Sequence, residues 1–151
     1  MIVMEPIGRV RTQRVQAEDD NWGGVESRIV LREDLDPEAL LGIEEFSHAE
    51  IVFYFDQVEA GKIVLDARHP RNNPDWPRVG IFAQRGKNRP NRIGTTIVRV
   101  LGREGRVLRV AELDAIDNTP VLDIKPYVPA FDSRPAAVVP MWIERLMKNY
   151  F

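Results

Sequence analysis

The feature that most constrains the fold is a series of short apolar runs rich in β-branched and aromatic residues. Each run is four to seven residues long, which suits a strand and is short for a helix. The runs are Arg28–Leu31, Glu50–Phe55, Val79–Ala83, Thr95–Leu101 and Val107–Leu113. Proline, glycine or asparagine stands at most joints, and Gly102–Gly105 predicts a hairpin between the last two runs. The pattern predicts a mainly β domain with antiparallel strands that pair chiefly with their sequence neighbours.

Helix signals are few. Asp36–Gly42 opens with an N-cap residue, has proline at the first helical position and closes with glycine, so it predicts one short internal helix. After Pro140, apolar residues recur every four positions, at Trp142, Leu146 and Tyr150, which predicts an amphipathic C-terminal helix. With so few helices to cover a sheet, its edges are hidden by closure or by a second subunit. We therefore expect a single-sheeted antiparallel β-barrel with these two helices.

Length and composition exclude several classes of protein. A chain of 151 residues with 44% hydrophobic residues has the size of one domain and can bury a core. No run of eighteen apolar residues exists, and the N-terminus is charged too early for a signal peptide, so we expect a cytoplasmic protein without a membrane partner. The absence of cysteine and the presence of only two histidines predict neither a disulfide framework nor a metal site.

The charge is unevenly distributed along the chain. The formal net charge is −2, yet Arg68–Arg92 holds seven basic residues and one acid. Within it, Gln84–Gly94 contains four cations and no acid, and we call this segment the basic loop. One interpretation is a preorganised site for phosphate or carboxylate. The other is that the segment only forms a turn, in which the arginine before proline is extended and Gly94 has a positive φ.

Two further segments allow alternative interpretations. Leu113–Tyr127 includes Asp114, Asp117 and Asp123, which either bind a hard cation or form a turn around Asp117 with Asp123 paired to a barrel arginine. Trp22 has polar neighbours, so we expect it to be exposed unless a ligand ring or a second subunit covers it. The chain has no G-x-G-x-x-G after a strand, no phosphate-binding P-loop and no nucleophile elbow.

Long motifs resemble a known family. Gly80–Gly94, GIFAQRGKNRPNRIG, followed by Leu113–Tyr127, LDAIDNTPVLDIKPY, is similar to the TsaA-like family of S-adenosylmethionine-dependent methyltransferases. Pro6–Thr12 and Gly42–Asp56 extend the resemblance over most of the chain. The family includes the enzyme that methylates threonylcarbamoyl-adenosine beside the tRNA anticodon.

The resemblance implies a dimeric β-barrel that binds S-adenosylmethionine near the subunit interface. Carried over by motif, the residues that contact this donor are Trp22, Gly23, Gly24, Asp56, Gln57, Arg85, Thr95, Ala111, Glu112, Leu113 and Asp114. Arg85 would hold the carboxylate of the donor, and Asp114 or Asp117 would accept a proton from the substrate amine if a base is used. Lys87, Arg89, Asn91 and Arg92 would face the anionic substrate.

The resemblance thus implies methyl transfer to the exocyclic amine of an adenosine in tRNA. The alternatives are an RNA-binding or donor-binding module without turnover, and a methyltransferase for a small molecule. In Gln84–Arg92 the sequence departs from the pattern of the tRNA enzymes, which concerns substrate more than donor. We expect residues 1–151 to form a single domain, without the additional C-terminal domain of some tRNA-modifying members.

Overall fold

The computed structural model describes residues 1–151, and its centre is a closed antiparallel barrel. The six barrel strands are β1 (Gly8–Arg11), β2 (Glu26–Leu31), β3 (His48–Tyr54), β6 (Ile93–Glu104), β7 (Val107–Ala111) and β8 (Pro120–Pro126). A separate ribbon pairs β4 (Ala67–Arg68) with β5 (Val79–Gly80). Two short helices follow the barrel, α1 (Pro129–Asp132) and α2 (Met141–Leu146). The predicted fold class is confirmed.

The order around the barrel is β1-β2-β7-β6-β3-β8, and β8 closes the sheet by pairing with β1. All these pairs are antiparallel, as predicted. The expectation that strands pair chiefly with sequence neighbours is wrong, because β2 pairs with β7 and β3 pairs with both β6 and β8. Closure hides every long edge without a second chain.

Alternation of inward and outward side chains builds the core. Every second residue of β3 is buried, and Ala49, Ile51 and Phe53 are at most 1% exposed. They pack with inward residues of the other strands, including Val10, Ile29, Leu108, Val110 and Val121. The core therefore fills the barrel interior and leaves its two ends for loops.

Several local predictions need correction. The run at 79–83 is a strand only over Val79–Gly80, because Ile81–Ala83 turns into a 3₁₀ helix. The predicted hairpin joins β6 to β7, but its turn lies at Gly105, with φ of 57°, while Gly102 lies at an irregularity of register inside β6. Strands β1 and β8 were missed, because β1 is very short and β8 is bounded by prolines.

The helices are shorter than the sequence suggested. The internal helix is a 3₁₀ helix over Pro37–Leu40, and Asp36 caps it by accepting a hydrogen bond from the backbone N of Glu38 at 2.9 Å. Helix α2 has six residues, none of them buried, and it ends before Tyr150. No helix in the chain is long and apolar enough to span a membrane.

Candidate active site at one end of the barrel

Loops at one end of the barrel hold nearly all of the residues that the sequence analysis singled out, and Thr95 and Ala111 lie on strands beside them. Here β1, β3 and β7 finish and β2, β6 and β8 begin, and we call it the site end. The segments are Trp22–Gly24 before β2, Asp56 and Gln57 after β3, Gln84–Arg92 before β6, Glu112–Asp114 after β7 and Asp117 before β8. The topology therefore brings into one ring segments that are far apart in sequence.

Asp114 is fixed by two hydroxyl groups at the site end. Thr96 Oγ1 donates a hydrogen bond to Asp114 Oδ1, and the Tyr150 hydroxyl donates one to Asp114 Oδ2. Thr96 lies in β6 and is 8% exposed, so its hydroxyl has little access to water. Hydrogen bonds to a charged acceptor are stronger than those between neutral groups. The two bonds therefore set the orientation of the carboxylate.

Tyr150 reaches Asp114 because the residues after α2 return to the barrel. The backbone N of Asn21 donates to the carbonyl O of Asn149 at 2.9 Å, and that of Trp22 donates to the carbonyl O of Tyr150 at 2.7 Å. A Cβ added to Gly23 would lie 2.6 Å from the carbonyl carbon of Phe151. Glycine is thus required there for close approach of two backbones.

The phenol of Tyr150 is a hydrogen-bond donor at the site. Burial, and then the negative charge of Asp114 and the hydrogen bond to it, raise the pKa of Tyr150 far above its ordinary value. The positive charges of Arg85 and Arg71 act in the opposite direction, which places both near this phenol. The net effect keeps Tyr150 protonated, so it can donate to Asp114.

Arg85 is exposed and lies against the first residues of β6. Its Nη2 donates to the carbonyl O of Thr95 at 2.9 Å and lies 3.4 Å from Thr95 Oγ1. It forms no ion pair, whereas Arg71 nearby is bound to Asp20 at 3.0 Å. The site end therefore presents an uncompensated guanidinium near a fixed carboxylate.

Two other arginines of the basic loop donate hydrogen bonds to main-chain carbonyl groups of the protein. Arg89 donates to the carbonyl O of Gln84 at 2.8 Å, and Arg92 donates to that of Val58 at 2.9 Å. The guanidinium of Arg92 also lies 5.0 Å from the ring centroid of Tyr54. Only Lys87 and Asn91, of the four residues predicted to face substrate, are exposed.

A positive φ occurs in this loop, but not at Gly94 as predicted. Arg92 has φ of 52°. Gly94 is needed for space, because a Cβ there would lie 2.7 Å from the ring of Phe55 and 2.8 Å from that of Phe53.

Trp22 is buried, which corrects the expectation of an exposed ring. It is 3% exposed, its Nε1 donates to the carbonyl O of Glu18 at 3.2 Å, and the Arg14 guanidinium lies 4.0 Å from the ring centroid. The polar neighbours of Trp22 mislead because Arg14, eight positions earlier in the sequence, covers the ring.

The other predicted donor contacts also lie at the site end, and they differ in exposure. Ala111 is 2% exposed, and Leu113 belongs to the core with no exposed surface, so only their main chains could meet a ligand. Glu112 has φ of 73° and an ion pair with Arg99 at 3.7 Å. Gln57 Nε2 lies 3.4 Å from Asp56 Oδ2.

Asp117 stands apart from this arrangement. Its Oδ1 accepts a hydrogen bond from the backbone N of Thr12 at 3.1 Å and lies 4.0 Å from Arg11 Nη1. Asp123 pairs with Lys125 at 2.9 Å, not with a barrel arginine as the turn hypothesis proposed. Acidic and histidine side chains gather nowhere into a group of three or more that could hold a metal ion.

Sequence reasoning missed Thr96 and Tyr150. A polar residue on an inward position of β6, between Gly94 and Val98, was the available signal for Thr96. Tyr150 continued the apolar spacing of α2 and was therefore assigned to that helix, so nothing in the sequence linked it to Asp114.

Comparison with known proteins identifies close relatives. Residues 15–133 match the family profile of the tRNA-methyltransferase O N-terminal domain. A protein of Pyrococcus abyssi named "Probable S-adenosyl-L-methionine-binding protein" is 40% identical over 109 residues, covering 72% of this chain and 55% of that protein. The tRNA (adenine(37)-N6)-methyltransferase of Escherichia coli is 40% identical over 104 residues, covering 66% of this chain and 44% of the enzyme.

Solved structures agree with the sequence matches. The crystal structure of TrmO from Pseudomonas aeruginosa superposes with a TM-score of 0.75 and 30% sequence identity. The alignment covers 93% of this chain and 62% of that one. The chain thus spans less than two thirds of the length of each of these proteins.

Proposed function

The chain belongs to the family of the tRNA-methyltransferase O N-terminal domain, and from this premise we propose that it transfers a methyl group from S-adenosylmethionine to the exocyclic amine of an adenosine in tRNA. The observation that carries the proposal is the presence, at one end of the barrel and around Tyr150, of an arginine without an ion pair, Arg85, and of a fixed carboxylate, Asp114. Relatives of this chain are named as S-adenosylmethionine-binding proteins and as tRNA (adenine(37)-N6)-methyltransferases.

The donor has groups of both charges, which fit these residues. Arg85 would hold the carboxylate of its amino acid head, and Asp114 would accept hydrogen bonds from its amine or its ribose hydroxyls. Each oxygen of Asp114 accepts one hydrogen bond in this structure. Because a carboxylate oxygen can accept two, each would have room for one hydrogen bond from the donor. We propose that the same donor site is also formed by main-chain atoms, or by side chains at its edge, of Thr95, Ala111, Glu112 and Leu113.

We also propose that the turn Trp22–Gly24 and the pair Asp56 and Gln57 complete the donor pocket. The Trp22 ring is already covered by Arg14, so this turn would contribute main-chain atoms. Lys87 and Asn91 are exposed and would meet the substrate directly, whereas Arg89 and Arg92 would act by holding the loop in shape.

Bound S-adenosylmethionine supplies a methyl group on an activated sulfonium, so the protein's task is to align the reacting groups and to exclude water. The amine of the adenosine loses a proton as it gains the methyl group. We propose Asp114 as the acceptor of that proton, because Asp117 is committed to Thr12 and Arg11.

We further propose a homodimer in the cytoplasm. The segment that holds α1 and α2 exposes Phe131 (77%), Val138 (92%) and Met141 (65%). Apolar surface of this kind marks a contact site, and a second copy of the chain would cover it. Sedimentation should report a dimer, and Val138→Asp with Met141→Asp should give a folded monomer; a monomeric parent protein would contradict the assignment.

Calorimetric titration with S-adenosylmethionine tests the donor site. The parent protein should bind, and Arg85→Ala should weaken binding about tenfold or more, because a charge-assisted contact is removed. Arg78→Ala is the matched control, since Arg78 is an exposed arginine of the same basic region. Equal binding by Arg85→Ala would exclude this residue as a donor contact, and no binding by the parent would reject the proposal.

Transfer of a labelled methyl group to tRNA tests the reaction. Incorporation at adenosine supports the proposed function. Donor binding without transfer to any RNA would support the binding module, and transfer to a metabolite alone would support the small-molecule enzyme.

A further inference from the structure

Three arginines lie side by side on the outer wall of the barrel. Arg11 of β1 pairs with Arg28 of β2, and Arg28 pairs with Arg109 of β7. All three side chains point outward, because the alternate residues of these strands are buried. Neighbouring strands are about 4.8 Å apart. We call Arg11, Arg28 and Arg109 the arginine row.

The row is costly to the folded barrel. Like charges directly opposite one another on neighbouring strands repel and lower stability. Arg11 is partly compensated by Asn118 Oδ1 at 3.1 Å and by Asp117 at 4.0 Å. Arg28 and Arg109 form no ion pair within 4.0 Å, although Glu26 and Glu104 border the same groove. Two neighbouring guanidinium groups are therefore left without a partner in the chain.

Two shallow grooves include residues of the row in their walls. One, of about 360 Å³, is lined by Pro6, Gly8, Arg9, Arg11, Val30 and Arg32 and contains no acid. The other, of about 530 Å³, is lined by Glu26, Arg28, Glu104, Val107 and Arg109. Arg9 is held by the carbonyl O of Asn118 at 3.0 Å, next to the bond from Arg11 to the same residue. The surface thus has grooves that contain guanidinium groups, and a planar guanidinium can bind a phosphate through two hydrogen bonds.

The row lies close to the site end. Arg28 follows Glu26 by two residues, Arg109 precedes Ala111 by two, and Glu26 pairs with Ala111 at the rim. Two residues of a strand span about 7 Å. A polyanion bound at the site end is therefore long enough, within a few ångströms beyond the rim, to contact this wall as well.

We propose that the arginine row binds the sugar-phosphate backbone of the RNA whose adenosine enters the site end. The inference rests on the proposed function and adds a contact surface separate from Gln84–Gly94 and from the predicted donor contacts. Arg89 and Arg92 of the basic loop donate to the main-chain carbonyl groups of Gln84 and Val58, so the row supplies phosphate contacts that these two side chains do not.

The test compares Arg28→Gln/Arg109→Gln with Lys125→Gln/Arg103→Gln, which removes the same charge from the opposite end of the barrel. Lys125 and Arg103 already pair with Asp123 and Glu44. Binding of labelled tRNA is followed by fluorescence anisotropy at several salt concentrations. The row variant should bind about tenfold more weakly, and the slope of log affinity against log salt should fall by about 1.4 to 1.8. The control should keep the parent slope.

Two further measurements accompany the test. Titration with S-adenosylmethionine separates failure of this inference from failure of the proposed function, and the melting temperature tests repulsion within the row. Both double variants should bind S-adenosylmethionine as the parent does, because neither touches the donor pocket. The row variant should also have a Tm about 1 to 3 °C higher, because repulsion across the strands is relieved.

The inference is overturned if the row variant and the parent bind tRNA with the same salt slope. Binding of anionic vesicles through the row, without tRNA binding by the parent, would overturn it as well. In either case, parent titrations with S-adenosylmethionine that still show binding leave the donor site standing.

Discussion

The hydroxyl group of Tyr150 donates a hydrogen bond to Oδ2 of Asp114, 36 positions away in the sequence. Tyr150→Phe removes this donor and little else, so we expect the free energy of unfolding to fall by about 1 to 2 kcal/mol, as for a partly buried bond to a charged group. Urea unfolding measures the loss. Tyr127→Phe is the matched control, because the ring of Tyr127 packs edge-on against His48 away from Asp114. Equal stability of the two variants would show that the bond is not formed.

The same bond predicts a pH dependence. The pKa of Tyr150 is raised in the folded protein, so its contribution to stability is complete below the pKa of a free phenol, about 10, and is lost as pH rises above it. The difference in unfolding free energy between parent and Tyr150→Phe should therefore shrink at alkaline pH. Ultraviolet titration should show that Tyr150 does not ionise near pH 10 while the protein is folded. Normal ionisation of Tyr150 in the folded parent would contradict the arrangement.

Gly23→Ala tests how Tyr150 is delivered to Asp114. The added Cβ would lie 2.6 Å from the carbonyl carbon of Phe151, and backbone cannot move aside cheaply. We expect the segment at 149–151 to leave the barrel, so that Tyr150 titrates as a free phenol while the barrel stays folded. Circular dichroism and ultraviolet titration check the two halves of this prediction, and an unchanged titration curve would count against it.

Thr96→Val tests the other hydrogen bond to Asp114. The side chains have nearly the same shape, but valine leaves Asp114 Oδ1 without its donor in a place where Thr96 is 8% exposed. We expect affinity for S-adenosylmethionine to fall about tenfold, because a mispositioned carboxylate no longer meets the donor. Calorimetry measures the change. Thr119→Val is the control, since its hydroxyl bonds only to the carbonyl O of Ile116 at 2.8 Å; an equal effect of both variants would indicate a general loss of structure.

Gly94→Ala tests packing beneath the basic loop. Its Cβ would lie 2.7 to 2.8 Å from the rings of Phe53 and Phe55, which meet edge to face inside the barrel. We expect a loss of about 1 to 3 kcal/mol in unfolding free energy through overpacking. Gly61→Ala is the control, because no atom lies within 4 Å of the added Cβ, and it should be neutral or slightly stabilising. Thermal unfolding of both variants measures the loss. An unchanged unfolding free energy in Gly94→Ala would show that the two rings can shift to make room.

The fold was more predictable than the site. Strand β3 was predicted because Glu50–Phe55 is a short run rich in β-branched and aromatic residues, and such a run suits a strand. The pairing of β3 with β8 was not predictable, because it depends on closure of the whole barrel and not on a local turn. Leu113–Tyr127 was interpreted as a cation site or a turn, and strand β8 within it was missed because prolines stand at both of its ends.

The motifs located the right end of the barrel but not the contacts within it. Arg85 and Asp114 were identified from the sequence, whereas Thr96 and Tyr150 are linked to Asp114 only by the three-dimensional path of the chain. Trp22 was misjudged for a related reason. The guanidinium of Arg14 lies over the Trp22 ring. The polar composition of the segment does not show that such a side chain folds back over an aromatic ring.

Closure of the barrel by β8 has a consequence during synthesis of the protein. Both β1 and β3 need β8 as a neighbour, so each has an unpaired edge until Pro120–Pro126 has left the ribosome. About a hundred residues separate β1 from β8, which corresponds to roughly 5 to 20 seconds of translation. During that time the nascent chain exposes the edge of β1, and later also that of β3, to other chains. The length of this exposure is set by the rate of elongation and not by the stability of the finished barrel.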